Sequence, residues 1–181
     1  MSKNEARSVF EGVERLSRDD PTLRDINLFK TKYIDSELDE LVDCLLAHPD
    51  VVTGMFLACN RLTDKTGVKL ARYLAASSTI EYLVMANNQF SDATYLALAT
   101  ALRVNSSLRE LHLNGNREVD RTRIEAAFVE ALRLNPDRPA QSEWQLYSIY
   151  FKDIDFKRLK PAADVLGAPS MLSQLRHCDR A

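Results

Sequence analysis

Four segments of this 181-residue sequence repeat one apolar frame at intervals of 28 or 29 residues. They read LRDINLFKTKY from Leu23, VTGMFLACNRL from Val52, IEYLVMANNQF from Ile80 and LRELHLNGNRE from Leu108. The first apolar column is Leu23, Val52, Ile80 and Leu108; the second is Ile26, Met55, Leu83 and Leu111; the third is Leu28, Leu57, Met85 and Leu113. Each short alternating run stops at a polar corner and gives way to helical spacing. A strand, a corner and a helix of this size cannot bury their own apolar side chains, so the units must stack.

The frame fits L-x-x-L-x-L-x-x-N, the leucine-rich-repeat pattern. Its asparagine column is Asn60, Asn88 and Asn116, with Thr31 in the first repeat. A buried corner needs a side chain that both donates and accepts, because its backbone groups cannot reach water. The helical halves keep register: Leu38, Leu41, Val42, Leu45; Gly67, Leu70, Ala71, Leu74; Tyr95, Leu98, Ala99, Leu102; Ile124, Ala127, Phe128, Ala131. The i, i+3, i+4, i+7 spacing marks one face of a helix. Ser36, Asp64, Asp92 and Asp120 lie near the helix starts as capping residues. The expected fold is α/β: a right-handed leucine-rich-repeat solenoid, a short horseshoe of the ribonuclease-inhibitor type. It has a parallel concave sheet of about five strands, convex helices and helical caps at both ends.

The chain reads as a single domain, 1–181. Residues 1–20 form an N-terminal cap helix, with Val9, Phe10, Val13 and Leu16 on one face. Repeats follow at 21–51, 52–79, 80–107 and 108–138, the last carrying an extra residue near Arg117–Glu118. Residues 139–181 are expected to form a degenerate fifth repeat and a C-terminal cap. A proline-containing linker, NPDRPAQSE, leads into a strand with Trp144, Tyr147, Ile149 and Ile154, and Pro161, Gly167 and Pro169 break the remainder into short helices.

Residues between the buried leucines of each strand point to the concave face. Asp25, Gly54, Tyr82 and Glu110 form one column; Asn27, Phe56, Val84 and His112 the next; Phe29, Ala58, Ala86 and Asn114 the third. Aromatic residues grouped on an open face indicate a contact surface. The candidate protein-binding residues are therefore Asp25, Asn27, Phe29, Phe56, Tyr82, Val84, Glu110, His112 and Asn114. Arg117, Arg121 and Arg123 at the irregular fourth loop, and the basic C-terminal end, offer a second surface for an acidic protein.

Composition narrows the function classes. The chain is 45% hydrophobic and 28% charged, with formal net charge −2, so no basic field recruits nucleic acid. No apolar run approaches the roughly 20 residues of a membrane span. The three cysteines follow no metal-ligand pattern and read as reduced thiols. His48, His112 and His177 are scattered, and no known catalytic motif occurs. No enzyme activity, catalytic residue, cofactor or metal is expected, and a small enzyme or ligand-binding domain is the remote alternative.

The order of parts resembles the C-terminal leucine-rich-repeat domain of tropomodulin and leiomodin, the actin pointed-end proteins. VFEGVERLSRDDPTLRDINL (Val9–Leu28) is similar to that family's opening helix and first strand. NSSLRELHLNGNREVDRTRIEAAFVEALRLN (Asn105–Asn135) is similar to its last regular repeat, including the lengthened loop, and WQLYSIYF to its closing strand. The resemblance implies a monomeric, cytoplasmic, non-catalytic scaffold whose protein partner is actin or another protein. The family's tropomyosin-binding segment precedes this domain and finds no match here, so tropomyosin binding is not implied. The family's tail is a strongly basic helix, whereas Ser170–Ala181 is short and mixed in charge. A second reading is a repeat effector of an intracellular bacterium, delivered into a host cytosol to bind a host protein.

Overall fold

The computed structural model describes residues 3–135. The linker, fifth strand and C-terminal cap expected beyond residue 135 lie outside the described residues. Strands β1 (Glu5–Ala6), β2 (Asp25–Asn27), β3 (Gly54–Phe56), β4 (Tyr82–Val84) and β5 (Glu110–His112) alternate with helices α1 (Val9–Ser17), α2 (Asp35–Ala47), α3 (Asp64–Ala76), α4 (Asp92–Ala101) and α5 (Arg121–Leu134). The strands form one parallel sheet in chain order. Asp25 pairs with Gly54, Gly54 with Tyr82 and Tyr82 with Glu110, so the repeat columns of the sequence are the ladder register of the sheet.

Between sheet and helices runs one apolar core. Leu23, Ile26, Leu28 and their equivalents in the later repeats are buried. So are Leu38, Leu41, Val42 and Leu45 of α2, Leu70 and Leu74 of α3, Leu98 of α4, and Ile124 and Phe128 of α5. Gly67 lets α3 and α4 approach closely: a Cβ there would sit 2.1 Å from Thr94 Oγ1.

The N-terminus differs from the expected single helix. Glu5–Ala6 joins the sheet beside β2, because Arg24 and Asp25 N–H both donate to Asn4 O, at 2.8 and 3.0 Å. The cap helix starts only at Val9, with Ser8 Oγ accepting from Glu11 N. Of the expected face only Phe10 turns outward, at 76% exposed; Leu16 is buried beside Gly12, and Val9 and Val13 pack partly buried against the core.

The asparagine column does what its chemistry allows. Asn60 Nδ2 donates to Leu28 O and Leu57 O, at 2.8 and 3.0 Å. Asn116 Nδ2 donates to Met85 O and Leu113 O, at 3.1 and 2.8 Å. A second ladder runs along the opposite edge. Asn105 Nδ2 donates to Leu74 O and Ser77 O, and Asn135 Nδ2 to Leu102 O and Asn105 O, all within 2.9 Å. The residue before each column asparagine is left-handed: Cys59 (φ 61°), Asn87 (φ 53°) and Gly115 (φ 72°), matched by Lys30 (φ 59°) before Thr31.

Aspartates at the helix starts also tie one coil to the next. Asp35, not Ser36, is the first helical residue of its repeat and the counterpart of Asp64 and Asp92. Asp35 accepts from Thr63 N and Oγ1, at 2.9 and 2.6 Å. Asp64 accepts from Ser91 N at 2.8 Å and Thr94 Oγ1 at 2.6 Å. Asp120 caps its own helix, accepting from Arg123 N. The extra residue of the fourth loop moves the α5 start to Arg121 and ends the aspartate series. Cys44 is a free thiol.

Candidate protein-binding surface

The strand residues that alternate with the core leucines carry the concave face, and the ladder register brings them into rows. Asp25, Gly54, Tyr82 and Glu110 lie side by side, as do Asn27, Phe56, Val84 and His112. The face is less open than its spacing implies. Ala58, Val84 and Ala86 form a second, small apolar cluster, with Phe29, Phe56 and Cys59 packed against it. Val84 is 6% exposed and His112 3%, so neither is the outward-facing residue expected. Val84 belongs to that cluster, and His112 Nε2 lies 3.1 Å from Glu110 Oε2. Tyr82, at 36% exposed, is the large apolar side chain the sheet presents most openly.

At the N-terminal end of the face, polar groups are held by one another. Asn27 Nδ2 and Arg7 Nε each donate to Glu5, both at 2.7 Å. Burial would raise the Glu5 carboxyl, but these hydrogen bonds and the Arg7 charge hold it below its ordinary range. Asp25 goes the other way: burial first, then repulsion from Glu5, push it up against the weaker pull of Arg24. Gly54 makes room for this arrangement. A Cβ there would stand 2.4 Å from Asp25 Oδ1 and 2.9 Å from the Phe56 ring. Lys30 Nζ lies 5.5 Å from the Phe29 ring centre, a cation–π contact where the face meets the strand-to-helix loops.

Sequence reasoning found the columns but missed Glu5 as a neighbour of Asp25 and Asn27. A strand of only two residues leaves no periodic signal. Among the described residues no group of three or more His, Cys, Asp or Glu side chains converges on a metal-sized site. No described helix is long and apolar enough to cross a membrane. The basic residues expected beyond Asn135 lie outside the described residues, whereas Arg117, Arg121 and Arg123 are exposed at the fourth loop.

No known family model matches this sequence. No curated protein matches it either. Solved structures do. The chain is similar to leiomodin-1 actin-binding site 2, at 26% identity and a TM-score of 0.64, over 72% of this chain and 76% of that one. It is also similar to the tropomodulin C-terminal domain of Caenorhabditis elegans, at 17% identity and a TM-score of 0.66, over 94% of this chain and 89% of that one. These are leucine-rich-repeat domains, and this chain shares their architecture of parallel strands and outer helices.

Proposed function

We propose that this chain is a non-catalytic protein-binding scaffold whose partner is actin or an actin-related protein. The observation that carries the reading is the 26% identity to a solved actin-binding site, over most of both chains. The shape of the stack supports it. A sheet braced by two asparagine ladders presents a preformed surface, so little ordering entropy is lost on association. In this reading the concave face is the contact surface. Phe29, Phe56 and Tyr82 supply apolar contact; Asp25, Asn27, Glu110 and Asn114 supply polar groups; Val84 and His112 form the floor. The scaffold acts as a monomer, in the cytosol, without nucleic acid or inserted membrane segment. Nothing in the fold or the likenesses favours the bacterial-effector alternative.

The test is elongation of pyrene-labelled actin from pointed ends, with barbed ends blocked. Micromolar protein slows elongation, and Tyr82→Asp weakens the effect without lowering the unfolding midpoint. Unchanged elongation in the presence of the folded wild-type chain would remove actin as the partner.

A further inference from the structure

We propose that the strand-to-helix edge of the stack, and not the concave face alone, docks an acidic protein surface through a row of cations led by Lys32, Arg61 and Arg117. This extends the protein-binding reading above and rests on it. The row follows from the repeat: each of these residues stands one position after Thr31, Asn60 or Asn116 in the corner column. The parallel register carries them along one edge. Three strand spacings of about 4.8 Å put the ends of the row roughly 15 Å apart. Lys30, Lys32, Arg61, Arg117, Arg121 and Arg123 are all exposed. Lys32 and Arg61 make no ion pair among the described residues. Gln89 fills the third place in the row and accepts from Arg117 Nη2 at 3.3 Å.

Acidic residues share this edge, but most are turned to other work. Asp35 and Asp64 are half-buried and spend their oxygens on Thr63, Thr66, Ser91 and Thr94. Asp92 accepts from Asp120 N, and Asp120 from Arg123 N. Glu37, Glu118 and Asp120 are exposed carboxylates beside the row, set against six exposed cations. The helix N-termini of α2 to α5 face the same edge and add their own positive ends.

Backbone strain is the independent observation. Lys30 and Lys32 both hold left-handed dihedrals, φ 59° and 62°, which glycine or asparagine adopts with less strain. The corner position of Lys30 is left-handed in every repeat, with Cys59, Asn87 and Gly115 there, whereas the strained backbone of Lys32 is not shared by Arg61, Gln89 or Arg117. Backbone strain of this kind clusters at functional sites. Here both of them carry the charge that the row needs.

The experiment compares the full chain with its Lys32→Glu/Arg61→Glu/Arg117→Glu variant. In the actin assay the variant needs at least tenfold more protein for the same slowing, with an unchanged unfolding midpoint. Equal potency of variant and wild type would overturn the row while leaving the actin reading intact. Fluorescein-labelled poly-glutamate is the second probe, and it does not depend on actin. Wild type binds it in low salt, weakens between 50 and 200 mM KCl, and the variant loses at least fivefold. No binding by wild type, or tighter binding to duplex DNA of equal charge, would overturn the proposal.

Discussion

Asn88 Nδ2 donates to the carbonyl of Leu57, in the preceding coil, at 2.9 Å. The same amide reaches Met85 O and Ala86 O at 3.2 Å, and its Oδ1 accepts from Leu62 N at 3.1 Å. One side chain thus closes its own corner and joins it to its neighbour. Replacement by alanine leaves several buried backbone groups unpaired and destabilises by about 3 kcal/mol. Asn88→Asp keeps the acceptor and loses both donors, so it does not rescue. Urea unfolding of the three proteins checks this, and an Asn88→Asp midpoint near wild type would contradict it.

The left-handed corners give a paired prediction. Gly115→Ala puts a Cβ 1.8 Å from Asn87 Oδ1 at φ 72°, and destabilises by at least about 1 kcal/mol. Lys30→Gly relieves the strained dihedral, and stabilises or leaves stability unchanged, because glycine's extra unfolded-state freedom offsets about 1 kcal/mol of the relief. Thermal midpoints at neutral pH separate the two signs.

Gly67→Ala tests helix–helix closeness. Alanine favours a helix interior by about 1 kcal/mol over glycine. Here its Cβ meets Thr94 Cγ2 at 2.6 Å and Phe90 Cδ1 at 2.9 Å, across the contact between α3 and α4. Overpacking by this amount costs roughly 1–3 kcal/mol and outweighs propensity. A Gly67→Ala protein that unfolds later than wild type would show that α4 shifts without strain.

The aspartate series sets an acid limit. For Asp35 and Asp64 burial opposes ionisation, but the hydrogen bonds from Thr63, Thr66, Ser91 and Thr94 outweigh it and hold both carboxyls below the ordinary aspartate range. A lowered folded value adds stability above the unfolded value, and that stability is lost as pH falls through the folded one. Guanidinium midpoints therefore drop as pH falls from neutral to below the ordinary aspartate range. Asp64→Asn lowers the midpoint at pH 7 and flattens this acid slope.

Asp25 has the opposite sign. Burial and the Glu5 charge raise it, so its ionised form weakens the fold at neutral pH, and the penalty disappears below its unfolded value. Asp25→Asn raises the thermal midpoint at pH 7, and the gain vanishes in acid. An equal gain at both pH values would assign it to packing instead of charge.

The phase of every strand and helix from β2 to α5 is readable in the one-dimensional pattern. Each coil's apolar frame is local, and its 28-residue recurrence makes Met55 and Leu83, or Gly54 and Tyr82, neighbours before any coordinates exist. The Asn60, Asn88 and Asn116 column was legible for the same reason. Other features depend on the distance between coils. Asp35 reaching Thr63, Asn135 reaching the Leu102 carbonyl, and Phe29 and Phe56 closing over Ala58, Val84 and Ala86 all join different coils. Their partners are chosen by the curvature of the sheet and the angle at which the helices pack. Glu5–Ala6 is the clearest case: two residues carry no period, and they become a strand because Asn4 O meets the free N–H groups at the edge of β2. Periodicity encodes which face a residue takes, whereas burial on that face follows from what the neighbouring coils bring against it.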